Sequence, residues 1–219
     1  MSTRNVAILG EGGHAQEIAA TLEHNNEKNF VRLDGHNIKS DVICYFLDEN
    51  NRTYDIPSYV SMCEILIGSG NMKTRKKMLI EANSLFKSTR YWPGTCICKS
   101  AQNLGFFGDG NVILQNAVIG NCAILDDHIL INYGATIGHD TTIGELSVVS
   151  PNASIGGHCK IGKAVFVGAG AMIRENLSVG DDAIIGMGAI VTKDVPANSV
   201  VIGTKMYTAE EWNAKKSKS

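Results

Sequence analysis

Aliphatic residues in the second half of the chain recur at every sixth position. Ile119, Leu125, Ile131, Ile137, Ile143, Val149, Ile155, Ile161, Val167, Ile173, Val179, Ile185 and Val191 keep this count without an insertion, and Ile113 and Phe107 extend it backward. The next position is often glycine (Gly120, Gly138, Gly144, Gly156, Gly162, Gly168, Gly180, Gly186), and the fifth is often small (Ala123, Ala135, Ser147, Ala153, Cys159, Ala171, Ala183, Ala189). A helix has a period of about 3.6 and a plain strand a period of about 2, so neither explains a count of six. A solenoid does. Each hexad becomes a short strand and a turn, the aliphatic side chain points to the axis, and the small one fits beside it, with glycine supplying turn geometry. A β-sandwich of evenly spaced strands leaves the fixed period unexplained.

The first half follows another pattern. The run NVAILG predicts a short strand ending at Gly10, and HAQEIAATLEHN has helical spacing with Ile18, Ala19 and Leu22 on one face. FVRLD and DVICYFLDE are two candidates for the next strand, and EILIGSG is a third strand ending in glycines. MKTRKKMLIEANSLF predicts an amphipathic helix with Met78, Leu79, Ala82 and Leu85 on its apolar side, and STRYWPGT predicts a connection out. Strand-helix alternation implies a small parallel sheet. The expected division is an α/β domain over 1–92, a β-solenoid over 93–206 and a tail over 207–219, part helical.

Composition narrows the function classes. The net charge of -2 gives no reason to expect nucleic acid or an anionic membrane as partner. No apolar run approaches the roughly 20 residues of a membrane span, and the N-terminus lacks the apolar stretch of a secretory signal. A cytoplasmic location is the expectation. The six cysteines, Cys44, Cys63, Cys96, Cys98, Cys122 and Cys159, are expected as small buried hydrophobes.

Three stretches carry candidate chemistry. His139 and Asp140 interrupt one hexad with a proton-transfer pair, since an imidazole suits proton removal near neutral pH and a carboxylate beside it fixes its tautomer. A polar turn at a solenoid edge is the alternative. GEGGHA (Gly10, Gly12, Gly13, His14, Ala15) has the G-x-G-x-x-A spacing of a phosphate-cradling turn between strand and helix; a tight packing turn also fits. Only about 90 residues precede the array, room for one mononucleotide half and not for a full dinucleotide domain. The basic run Lys73–Lys77 reads as a solvated helix face, with Arg75 a weak diphosphate candidate.

These residues resemble a known family. The hexad array is similar to the left-handed parallel β-helix of the hexapeptide-repeat acyltransferases. Nearly all of 1–206 resembles its bacterial sugar acetyltransferase branch, through GEGGHA, FLDEN, GSGNMKTRKKM, NYGATIGHD and VVIGTKM. That branch includes nucleotide-sugar N-acetyltransferases and sialic-acid O-acetyltransferase relatives. The resemblance implies three hexads per coil, a homotrimer, and acetyl-CoA as co-substrate. It implies acetylation of the C4 amine of a UDP- or dTDP-linked 4-amino-4,6-dideoxy sugar in surface glycan precursor synthesis, lipopolysaccharide or O-antigen. A sugar O-acetyltransferase and a non-catalytic solenoid are the alternatives. It assigns His139 as general base and Asp140 as its modulator, with Asn132 in the same pocket. Gly12, Gly13 and His14 are expected to face the nucleotide sugar, Asp48 and Glu49 its base, with Gly70 and Asn71 at the next strand end. Val148, Gly157, Ala169 and Met187 are expected to contact the coenzyme, Gly157 through its N–H. The γ-type carbonic anhydrases share the solenoid, but resemblance to them implies a histidine where Gly144 stands, so no metal is expected. Departures from the branch are Glu11 in place of a small residue, apparent extra sequence at NFVRLDGHNIKS, and GTKM without the usual proline.

Overall fold

The computed structural model describes residues 6–9, 13–25, 30–32, 64–85 and 92–216. It comprises a small α/β domain leading into a parallel β-solenoid of about six turns.

The α/β domain is a four-stranded parallel sheet in the order β2-β1-β3-β4, with β1 at Val6–Leu9, β2 at Phe30–Arg32, β3 at Glu64–Ile67 and β4 at Trp92–Pro93. Helix α1 (Gly13–His24) buries Ala15, Ile18, Ala19 and Leu22, the face its spacing predicts. Helix α2 (Met72–Leu85) follows β3. One strand candidate holds and one expectation changes. Phe30–Arg32, within FVRLD, is a strand paired with β1 from Val6↔Phe30 onward. Trp92–Pro93 does not merely connect; it adds β4 to the sheet edge beside β3. The other strand candidate, DVICYFLDE, lies outside the described residues.

The solenoid has three faces. The first holds β5 (Cys96–Ile97), β8 (Val112–Ile113), β11 (Leu130–Ile131), β14 (Val148–Val149), β17 (Phe166–Val167), β20 (Ile184–Ile185) and β22 (Val200–Ile202). The second holds β6 (Gln102–Asn103), β9 (Val118–Ile119), β12 (Thr136–Ile137), β15 (Ser154–Ile155), β18 (Met172–Ile173) and β21 (Ile190–Val191). The third holds β7 (Phe106–Phe107), β10 (Ile124–Leu125), β13 (Thr142–Ile143), β16 (Lys160–Ile161) and β19 (Ser178–Val179). Parallel partners stand 18 residues apart, as in Ile124↔Thr142, so three hexads make one coil. Each of the thirteen aliphatic register positions is at most 4% exposed, and the small fifth positions are buried beside them. Strand β23 (Lys205–Tyr207) folds back antiparallel on β22 to close the stack, and helix α3 (Ala209–Lys216) follows.

The glycines after the aliphatic positions serve a purpose other than the expected turn dihedral. Positive φ falls two residues later, at Cys122, Asp140, Leu146, Asn152, His158 and their equivalents. The glycines instead allow the coils to approach. A Cβ on Gly138 would stand 2.4 Å from the Gly157 nitrogen, and one on Gly156 would stand 2.5 Å from the Glu175 nitrogen.

The α/β domain sits on the first face. There β8, β11 and β14 bury both residues, whereas most strands on the other faces bury one and expose one. Val112, Leu130 and Val148 pack in one cluster with Ile8, Ala15, Ile18, Leu22 and Leu66. Polar ties reinforce it: Gln115 Nε2 donates to Thr21 Oγ1 at 3.0 Å, and Asn25 Nδ2 to the Ile97 carbonyl at 2.6 Å. Arg75, the diphosphate candidate, is fully buried there. It donates to the carbonyls of Ser69 (2.9 Å), Ile67 (3.3 Å) and His128, and desolvation lowers its pKa to about 10. Arg75 is a clamp between α2 and the solenoid with no surface for a phosphate. Lys76 pairs with Asp182 of the solenoid, and Lys73 is exposed.

Candidate active site

The corner between the second and third faces carries the predicted base. After β12 the chain turns through Gly138–Thr141, with Asp140 at φ 57. That turn brings adjacent side chains together, and His139 Nδ1 lies 2.7 Å from Asp140 Oδ2. An ionised carboxylate can only accept, so the hydrogen sits on Nδ1 and Nε2 keeps its lone pair. Gly157, one coil on, lies beneath that nitrogen: a Cβ on Gly157 would be 2.8 Å from His139 Nε2. His158 completes the group, with its ring edge-on to His139 at 4.9 Å between centroids and its Nε2 3.9 Å from Asp140 Oδ2. One donor atom each from His139, Asp140 and His158 falls within 4.8 Å of the others, so this trio has the composition to hold a metal ion. His158 is the neighbour that the sequence reading passed over. With a coil of 18 residues, 139 leads to 157 and 140 leads to 158.

The corner between the first and second faces carries a second group. His14, near the start of α1, has its Nε2 3.0 Å from Asn132 Nδ2. Gly70, after β3, makes room for that imidazole, since a Cβ there would be 2.7 Å from His14 Cε1. Asn71 caps α2, its Oδ1 accepting from the Thr74 N–H at 3.0 Å. Gly13 opens α1 and is exposed. The N-terminal ends of two helices thus converge on His14 at the carboxyl ends of β1 and β3, where anionic ligands are favoured. Gly12, Asp48 and Glu49 lie outside the described residues.

Two placements differ from expectation. Asn132 is bonded to His14 and to the Tyr133 N–H, not to His139; it precedes β12 and His139 follows it, so the two leave the coil at different corners. Val148 is 1% exposed within the cluster beneath the α/β domain and offers no surface to a coenzyme. Ala169 and Met187 follow Asn132 on its own corner, one half-buried and the other 80% exposed. Gly157 belongs to the His139 corner. Of the cysteines, Cys96, Cys98 and Cys159 are buried as expected, and burial pushes the Cys159 thiol up, while Cys122 is exposed; Cys44 and Cys63 lie outside the described residues. No described helix is long and apolar enough to cross a membrane.

Known proteins share this architecture. A model of the PglD N-terminal domain matches residues 5–82, and one of the bacterial transferase hexapeptide (six repeats) matches residues 158–193. The acetyltransferase domain of PglB from Neisseria gonorrhoeae FA1090, solved also with acetyl coenzyme A, is similar over 94% of this chain and 99% of its own, at 24% identity and a TM-score of 0.77. PerB from Caulobacter crescentus, solved with CoA and GDP-perosamine, is similar over 94% of this chain and 97% of its own, at 23% identity and a TM-score of 0.75. WeeI from Acinetobacter baumannii AYE aligns over 93% and 99%, at 18% identity and a TM-score of 0.57. Comparison with curated proteins returns no match. At these identities the likenesses establish a common fold. With both segments matched in order, the chain carries a PglD N-terminal domain followed by bacterial transferase hexapeptide repeats.

Proposed function

We propose that this protein is an acetyl-CoA-dependent N-acetyltransferase acting on the C4 amine of a nucleotide-linked 4-amino-4,6-dideoxy sugar, for cytoplasmic surface glycan precursor synthesis. The observation that carries the reading is the His139–Asp140 contact at 2.7 Å, which leaves Nε2 as a base beside Gly157. The neutral amine attacks the thioester carbonyl. A C–N bond forms, and negative charge gathers on the former carbonyl oxygen, where the Gly157 N–H is the proposed donor. His139 Nε2 takes the amine proton while Asp140 accepts from Nδ1. Collapse breaks the C–S bond, and the departing thiolate receives the proton. General-base help of this kind is worth about 10²–10⁴-fold.

The edge formed by His14, Gly70 and Asn71 is the proposed nucleotide-sugar site, with Gly12, Asp48 and Glu49 as its expected completion. GDP joins UDP and dTDP as a candidate nucleotide, because PerB is solved with GDP-perosamine. Gly157, Ala169 and Met187 are the proposed coenzyme contacts. The sugar edge and His139 stand at different corners of one chain, so a homotrimer would set the His14 edge of one copy against the His139 corner of the next. The test is CoA release from acetyl-CoA against UDP-, dTDP- and GDP-linked 4-amino-6-deoxy sugars, with free sialic acid included. Turnover of one amino sugar supports the reading. Turnover of sialic acid alone replaces it with O-acetylation, and no turnover with any acceptor contradicts it.

A further inference from the structure

The corner that holds His139 is built of two columns. The backbone N–H groups of Asp140, His158 and Asn176 donate to the carbonyls of Asn121, His139 and Gly157, one coil earlier, at 2.9–3.0 Å. Cys122, Asp140, His158 and Asn176 therefore stack in one column, all with positive φ, at 58, 57, 56 and 61°. This ladder fixes His158 directly after Asp140. The Asp140 carboxylate consequently has two imidazoles beside it, His139 Nδ1 at 2.7 Å and His158 Nε2 at 3.9 Å. The His139 ring is bounded by Asp140 at Nδ1, by Gly157 beneath Nε2, and by the edge of His158.

We infer that His158 is a positioning residue for the base: it holds the His139 ring over Gly157 and shares the Asp140 carboxylate with it. The inference rests on reading His139 as the base. Its physical content is restraint: the edge of His158 closes the side of the ring that Asp140 and Gly157 leave open. The other charged or titratable groups at this corner are Cys122 on the preceding coil, the buried Cys159 beside His158, and Arg174 and Glu175 on the following coil, which carry opposite charges. Without His158 the ring is free to swing off Asp140, so the Nδ1–H tautomer is no longer held. The ring also loses its edge support, and small misplacements of a catalytic group are costly.

The test is His158→Asn in the full chain. Asparagine suits a positive φ and stands at the same place one coil on, at Asn176, so the melting temperature is expected to hold. Long-range ¹H–¹⁵N NMR of the imidazoles, without substrate, should show His139 as the Nδ1–H tautomer in the parent and as a mixture in the variant. With acetyl-CoA and the best acceptor of the panel, kcat should fall about tenfold while KM stays. His158→Gln, which keeps a donor within reach of Asp140, should restore part of kcat, and it serves as the test variant if the asparagine protein does not fold. An unchanged His139 tautomer and an unchanged kcat in a folded variant overturn the inference. Full turnover in a His139→Ala protein instead overturns the assignment of the base, and the NMR readout still decides the positioning claim.

Discussion

Asp140 Oδ2 lies 2.7 Å from Nδ1 of His139, and it is a turn at φ 57 that brings these sequence neighbours together. The contact puts the hydrogen on Nδ1 and the lone pair on Nε2, toward Gly157. Asp140→Asn tests what the carboxylate does. Asparagine keeps the positive φ but presents either an amide hydrogen or a neutral oxygen to the ring. It neither fixes the tautomer nor stabilises an imidazolium. The expected loss in kcat is roughly 10²-fold or more, with little change in KM for acetyl-CoA, read by steady-state kinetics.

Gly138 and Gly157 separate packing from chemistry. A Cβ on Gly138 would stand 2.4 Å from the backbone nitrogen of Gly157, which cannot move without parting two coils. Gly138→Ala should destabilise the solenoid by about 1–3 kcal/mol, seen as a lower melting temperature. A Cβ on Gly157 would meet the end of the His139 ring at 2.8 Å, and that ring can swing away. Gly157→Ala should keep the melting temperature within a few degrees and lose most activity.

His128 supplies a pH dependence of stability. It is buried beneath Arg75 at the third-to-first corner, and its Nδ1 has no hydrogen-bond partner. Burial lowers its pKa from the usual 6.5, with Arg75 acting in the same direction and Asp127, Glu145 and Asp109 against it. Below pH 6.5 the unfolded chain therefore binds a proton that the folded chain resists. Stability is complete above that pH and declines as pH falls toward the lowered value. His128→Asn, compatible with the φ of 58 at this position, should flatten the decline in melting temperature on the acid side of 6.5.

The solenoid was legible because its core depends on one-dimensional spacing. Ile119 through Val191 fall on the axis by counting alone, and their burial follows. The first and last coils were less visible, because each is shorter. Cys96 pairs with Val112 and Ile184 with Val200, 16 residues apart instead of 18. The glycine positions were read correctly and explained wrongly, since contact between coils is not visible in a single hexad. His158 beside Asp140, and Asn132 beside His14, depend on which coil and which domain each residue faces. Periodicity says nothing about the second of these, and the resemblance that offered Val148 as a coenzyme contact carries no sign of the α/β domain packed over it.

The most direct test of the central claim is turnover of the panel's best acceptor by His139→Ala, measured beside its melting curve. The expected result is a loss of about 10²–10⁴-fold in kcat with the melting temperature of the parent, since the side chain is exposed on the solenoid surface. Parental turnover in that folded variant would contradict it, and the base would have to be sought elsewhere.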